Sequence, residues 1–283
     1  MIWQDIFPRA NLGLKITNWC NLCCAHCCER SNNKEPYNLM PVSAVERYIC
    51  EFKDMGMPVW DYVVFTGGES MAPYYHADGK YIPNVAEICA KNDMSACFKT
   101  NAKWGELNFL NVTILKNLAD IAHKYDRQIS LDISIDEYHD NQNAAANVVN
   151  SIMNSQYLSA AIPVSLVGLN TAASQYKYQE FVNILRQKGI YVAPMENDGK
   201  FVVSKGNNIN VMFYEVGGLS KLGRAADNDI KNARPITGCA SADGSDCLVI
   251  TNDNQAVLNY KYKTTIDNKT IKQVYSELLG KKR

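Results

Sequence analysis

The sequence predicts an α/β fold built on a parallel sheet, and three observations predict it. Short β-branched or aromatic runs alternate with longer stretches of helical period, and Gly, Asn and Pro punctuate the joins. The chain has 283 residues, of which 47% are hydrophobic and 20% charged, so it can bury a substantial core. Repeated strand–helix alternation needs right-handed crossovers, which build either an open doubly wound sheet or a barrel. Both architectures put chemistry at the C-terminal ends of the strands.

The elements follow in order. Strands are expected at Leu12 to Thr17, Val59 to Phe65, Ala96 to Thr100, Ile129 to Ile135 and Pro163 to Leu169. Helices are expected between and after them, at Val42 to Asp54, Val85 to Lys91, Val112 to Tyr125, Asn141 to Asn154 and Ser174 to Lys188. In the last of these Tyr178, Phe181, Val182 and Leu185 recur at three- and four-residue spacing, one apolar face that Gly189 terminates. From Ile190 to Val216 three short runs all read as strands, and the pattern does not single out the one that completes the sheet. The texture changes after Pro235. An apparent hairpin through Leu248 to Tyr262 turns around Asn252-Asp253-Asn254, and a last helix runs from about Thr270 to Leu279. That shift divides the chain into residues 1–235 and a C-terminal subdomain over 236–283.

Charge and terminal sequence exclude several classes. Lys plus Arg and Asp plus Glu both number 29, a formal net charge of zero that argues against a broad nucleic-acid footprint. Met1 to Ala10 has no long apolar run ahead of a small-residue cleavage site, and no apolar stretch approaches the roughly 18 to 20 residues that cross a bilayer. The reading is of a soluble, cytoplasmic protein with neither a nucleic-acid nor a membrane partner.

Ten cysteines are present, and Cys20, Cys23, Cys24, Cys27 and Cys28 crowd into one short loop after the first strand. Such clustering favours thiolate ligation of a metal over a disulfide scaffold. Cys20, Cys24 and Cys27, spaced four and three apart, can hold three irons of a cubane and leave the fourth open to a small chelator. Cys20-x2-Cys23 and Cys24-x2-Cys27 are also zinc-type pairs that Cys239 and Cys247 could complete, so both metals stand on this loop alone. Cys50, Cys89 and Cys97 sit in helical or strand contexts as small buried hydrophobes.

The Cys20, Cys24, Cys27 spacing, followed by Phe65-Thr66-Gly67-Gly68-Glu69 at the end of the second strand, resembles the radical S-adenosylmethionine (radical SAM) superfamily. The resemblance implies a partial (β/α)6 TIM-like barrel with a small C-terminal β-hairpin plus helix subdomain. It implies a [4Fe-4S] cluster on the three cysteines, with S-adenosyl-L-methionine (SAM) chelating the open iron, and a SAM-binding turn at Gly67, Gly68 and Glu69. Thr100-Asn101, Ser134, Asp136 and Asn170, at the ends of the third, fourth and fifth strands, match positions that contact SAM in similar enzymes. Gly223-Arg224-Ala225 resembles the family's late Gly-Arg-Ala signature, which adds Arg224 to the cofactor contacts. Two positions depart from the pattern: His26 stands before the third cysteine where a carbocyclic aromatic is usual, and Ser70 follows Glu69 where proline is common. His26, which the resemblance places among the cofactor contacts, can still stack and also titrate.

The tail from Cys239 to Ile271 is similar to the extensions called SPASM or twitch domains, which carry auxiliary clusters and are frequent in enzymes that modify peptides. Only Cys239 and Cys247 lie there, and Asn259-Tyr260 occupies the place of another usual cysteine, so a shortened, cluster-free version is expected. The two thiols are then candidates to donate a hydrogen atom to a substrate radical, and His139 in Asp136-Glu137-Tyr138-His139 is a candidate proton carrier. The resemblance implies a peptide or peptide-like substrate and an external one-electron reductant of flavodoxin or ferredoxin type. A small-molecule tailoring enzyme and a zinc-stabilised binding protein without catalysis are the competing readings.

Overall fold

The computed structural model describes residues 10–56, 62–197, 199–217, 223–228, 230, 246–259 and 261–282. They form a mixed α/β protein with a large, mostly parallel sheet. The chain divides into two compact units, one made of described residues in segments 1–23, 27–96 and 220–283, the other of 24–26 and 97–219.

The first unit contains β1 (Ala10–Thr17), α1 (Val42–Asp54), β2 (Tyr62–Gly67), α2 (Ala72–Tyr75) and α3 (Tyr81–Lys91). After the start of β3 (Ser95–Thr100) the chain leaves this unit and returns for α8 (Gly223–Asp227), β9 (Asp246–Thr251), β10 (Gln255–Leu258), β11 (Tyr262–Thr265) and α9 (Ile271–Lys282). Its strand order is β11-β10-β9-β1-β2-β3. The alternation of β1 explains its central place: Leu12, Leu14 and Ile16 are fully buried on one face, while Asn11, Gly13 and Lys15 occupy the other. Along α1, Val45, Tyr48, Ile49 and Phe52 make the buried stripe that the helical period requires.

The expected hairpin is present as β9 and β10, antiparallel through Ala256↔Ile250 and Leu258↔Leu248, with Asn254 in the left-handed region at the turn. The tail also does something that its composition does not announce. Strand β9 pairs in parallel with β1 from Ala10↔Asp246 to Lys15↔Thr251, so the tail strands extend the sheet that begins at β1. The N-terminus of α9 is tied to α1, because the Ile271 amide donates to Glu51 Oε2 at 2.7 Å.

The second unit holds the rest of β3, α4 (Asn108–Tyr125), β4 (Ile129–Ser134), α5 (Gln142–Met153), α6 (Gln156–Ala161), β5 (Val164–Leu169), α7 (Ala172–Gln187), β6 (Tyr191–Val192), β7 (Lys200–Lys205) and β8 (Asn208–Gly217). Its strands are ordered β3-β4-β5-β8-β7-β6. The ambiguous stretch is thereby resolved. Strand β8 is parallel to β5 through Ser165↔Phe213 and Leu169↔Gly217, whereas β6 and β7 are antiparallel additions outside it. The sixth strand of the (β/α)6 succession is therefore β8. Tyr178 of α7 stacks on Tyr214 of β8 at 4.4 Å, and Gly168 makes room because a Cβ there would lie 2.1 Å from the Tyr214 hydroxyl.

Helix starts lie a few residues earlier than expected at α3, α4 and α7. The Thr171 side chain caps α7 by accepting from the Ser174 amide. Among the described residues no helix is long and apolar enough to cross a membrane.

Candidate functional site

The cysteine loop leaves the C-terminal end of β1 and is held by its own backbone. The Cys20 amide donates to the Asn32 carbonyl at 3.2 Å, and Trp19 and Asn32 form an isolated bridge. Cys20 is buried and its sulfur accepts the Leu22 amide at 3.4 Å, while Cys24 and Cys27 are half-buried. The three carry no disulfide. Cys23 and Cys28 are exposed, the placement expected of bystander thiols.

The Gly-Gly-Glu turn lies against the start of this loop, within the same unit. The Gly68 amide donates to the Thr17 carbonyl at 2.8 Å and the Glu69 amide to the Trp19 carbonyl at 2.9 Å. Both glycines are needed for that approach. Gly67 has φ near 125°, and a Cβ on Gly68 would stand 1.9 Å from the Trp19 carbonyl oxygen. Glu69 is fully buried, with Oε1 accepting the Met71 amide at 2.9 Å. A carboxylate without solvent, one residue from a close backbone contact with the cysteine loop, suits an ammonium ligand.

Arg224 bonds to the later part of the loop. Its amide donates to the Cys27 carbonyl at 2.9 Å and its guanidinium to the Ser31 carbonyl at 2.6 Å, while Arg30 makes a two-pronged pair with Asp227 at 2.8 Å. Expected among the cofactor contacts, Arg224 is placed where it braces the loop backbone.

In the second unit, Cys24 and His26 meet the residues that follow β4. Asp136, almost fully buried, accepts the His139 Nδ1 and the Tyr138 amide on Oδ1, each at 2.8 Å, and its Oδ2 lies 3.7 Å from His26 Nε2. His26, expected among the cofactor contacts, stacks on Tyr138 at 4.5 Å. Burial works to raise the Asp136 carboxyl, yet the hydrogen bond and charge of His139 and the charge of His26 hold it below the ordinary carboxylate range. Burial likewise works to lower His139, and the bonds to Asp136 and to the Cys24 thiol overcome it and push the imidazole up to about 10. Donor atoms of His26, Asp136 and His139 lie within 4.8 Å of one another. Oδ1 and the His139 Nδ1 already satisfy each other, so Asp136 and His139 form a hydrogen-bonded brace that His26 faces at ion-pair distance. His139, expected as a proton carrier, is committed to that brace on both flanks.

Thr100 and Asn101 end β3 as expected, with side chains that cap their own turn: Thr100 Oγ1 accepts the Ala102 amide and the Trp104 indole N–H, and Asn101 Oδ1 accepts the Lys103 amide. A residue that sequence reasoning missed joins these strand ends. Asn141, buried, donates from one Nδ2 to the Asn101 carbonyl at 2.6 Å and to the Ser134 carbonyl at 2.8 Å. Its position at the N-terminal boundary of α5 was the available signal, but that signal reads as a cap, and its side chain makes no cap bond. Asn141→Ala should remove both bonds, one buried and one half-buried, and cost about 2 kcal/mol. Urea denaturation checks this, and an unchanged midpoint would refute the bridge. Ser134 is half-buried and Asn170 is exposed at the end of β5.

The tail thiols are not both placed. Cys239 lies outside the described residues. Cys247 opens β9 opposite Asn11, six residues before the Thr17 that ends β1, which is about 20 Å along the strand from the cysteine loop. Parallel pairing sends it to the opposite end of the strands, so it is not brought to the loop as a hydrogen-atom donor would have to be. Its backbone is locked instead by Asn259, whose Oδ1 accepts the Cys247 amide at 2.8 Å and whose amide donates to the Cys247 carbonyl at 2.9 Å.

No protein-family model matches the chain, and no curated protein matches it. Among solved structures it is similar to native anSMEcpe with bound AdoMet, at 14% identity and a TM-score of 0.40, over 95% of this chain and 80% of that one. It is also similar to native anSMEcpe with bound AdoMet and Cp18Cys peptide, at 14% identity and a TM-score of 0.36 over the same shares.

Proposed function

We propose that this protein is a radical SAM enzyme that holds a [4Fe-4S] cluster on Cys20, Cys24 and Cys27 and takes a hydrogen atom from a peptide or peptide-like substrate. One observation carries the reading. The Gly67-Gly68-Glu69 turn is hydrogen-bonded by its backbone to Thr17 and Trp19, directly ahead of Cys20, so two motifs far apart in the chain share one place. The donor set fits the cluster: three thiols on one loop, without disulfides, suit three irons and leave a fourth open. Bound there, the cluster and SAM would supply, once an external donor has reduced the cluster, one-electron cleavage of the sulfonium C5′–S bond to methionine and a carbon radical able to take hydrogen from an unactivated C–H bond.

The chain's own residues bind and orient. Glu69 offers a buried carboxylate to the methionine ammonium, and Gly67 and Gly68 let backbone approach the ligand. Thr100, Asn101, Ser134 and Asn170 form the strand-end rim toward the nucleoside, with Asn141 keeping two of those ends in register. Asp136 and His139 position His26 beside Cys27, and Arg224 fixes the Cys27 carbonyl. An external one-electron donor of flavodoxin or ferredoxin type completes the scheme. Residues 1–235 carry this chemistry, and 236–283 form the extension whose resemblance to peptide-modifying enzymes supports the substrate class.

The test is iron, sulfide and zinc content after anaerobic reconstitution, with electron paramagnetic resonance of the reduced protein before and after SAM. About four irons per chain, a spectrum that SAM perturbs, and release of 5′-deoxyadenosine are expected. Zinc without iron would overturn the proposal in favour of a metal-stabilised binding protein.

A further inference from the structure

Lys15 is a buried cation that the proposed chemistry leaves unused. It lies on the face of β1 opposite the apolar core, in register with Thr66 of β2 and Thr251 of β9, and is 9% exposed. A charge so placed needs a partner, because desolvation of an unpaired ammonium is costly. Its partner is Glu29, two residues beyond Cys27, with Nζ to Oε2 at 2.5 Å. The aliphatic stem passes under the Gly-Gly-Glu turn, where Lys15 Cγ is 3.0 Å from the place a Gly67 Cβ would take. One side chain thus joins Gly67 of the turn to Glu29, two residues past Cys27, all within the first unit.

We infer that the Lys15–Glu29 pair tunes the reduction potential of a cluster held by the cysteine loop, Lys15 favouring the reduced form and Glu29 opposing it. This rests on the radical SAM reading. Reduction adds one negative charge to the cluster, so a fixed cation nearby makes it easier and a fixed anion makes it harder, most strongly where water is excluded. Lys15 and Glu29 are positioning residues, since neither touches the reacting atoms.

The experiment is a redox titration of the reconstituted full chain, followed by electron paramagnetic resonance, for wild type, Lys15→Met, Lys15→Arg and Glu29→Gln. The midpoint should shift to more negative potential in Lys15→Met and to more positive potential in Glu29→Gln, with Lys15→Arg near wild type. Opposite signs separate charge from mere loop support, because breaking the same tether from either end would disturb the loop alike. Shifts of the same sign, or no shift in either variant, would overturn the inference while leaving the enzyme reading intact. A wild-type chain that takes up no iron would overturn both. Circular dichroism and iron content of each variant show whether it has folded and loaded. Should Lys15→Met fail to load, Glu29→Gln and Lys15→Arg still decide: the inference stands only if the first moves upward and the second does not move.

Discussion

Replacement of Cys20, Cys24 and Cys27 together by alanine is expected to reduce iron from about four per chain to none and to abolish release of 5′-deoxyadenosine, while the fold survives. The chemical effect is total because no other group on the loop can replace three thiolates at that spacing. The structural effect is small because the loop is held by backbone bonds that alanine keeps. These are Cys20 to Asn32, Arg30 to Cys27, and Arg224 to Cys27. The Leu22 amide loses its acceptor at Cys20 Sγ, a loss of about 1 kcal/mol, and His139 loses its bond to Cys24 while keeping the one to Asp136. Far-ultraviolet circular dichroism and a urea midpoint close to wild type should accompany the loss of iron. Cleavage retained by the triple variant would sink the assignment.

Gly68→Ala is expected to damage both the fold and the site through one methyl group. Its Cβ would stand 1.9 Å from the Trp19 carbonyl oxygen and 2.5 Å from the carbonyl carbon, atoms of a backbone that cannot swing aside as a side chain can. The turn must then move off the cysteine loop, losing the Gly68 to Thr17 and Glu69 to Trp19 bonds and pulling the Glu69 carboxylate out of place. Overpacking of this kind costs about 3 kcal/mol. It should lower the urea midpoint and remove the perturbation by SAM of the cluster's magnetic resonance spectrum. Gly280→Ala is the control, since a Cβ in α9 meets nothing within 4 Å. It should raise stability by about 0.5 kcal/mol by restricting the unfolded chain. Equal effects of the two substitutions would refute the steric argument.

Local pattern was enough for much of this protein. Period and punctuation located β1, β4, β5, α1 and α7 to within a few residues, because apolar spacing is set by the neighbours each residue must face. The Cys20, Cys24, Cys27 loop and the Gly67-Gly68 pair were legible for a similar reason: thiolate spacing and absent side chains are chemical facts of the chain itself. Tertiary structure decided what depends on pairing between distant segments. Three candidate strands lay between Ile190 and Val216, and only hydrogen bonding to β5 made β8 the sixth of the succession. Parallel pairing of β9 with β1 carried Cys247 to the opposite end of the strands from the loop, although nothing in its local sequence sets that register. Asp136 stood out at the end of the fourth strand, but nothing local said that its two oxygens would face His26 and His139. The sequence singled out nothing at Lys15, whose place appeared only when the fold set Glu29 and Gly67 around it. Strand alternation tells which face a residue takes, and the register with distant strands tells what waits on that face.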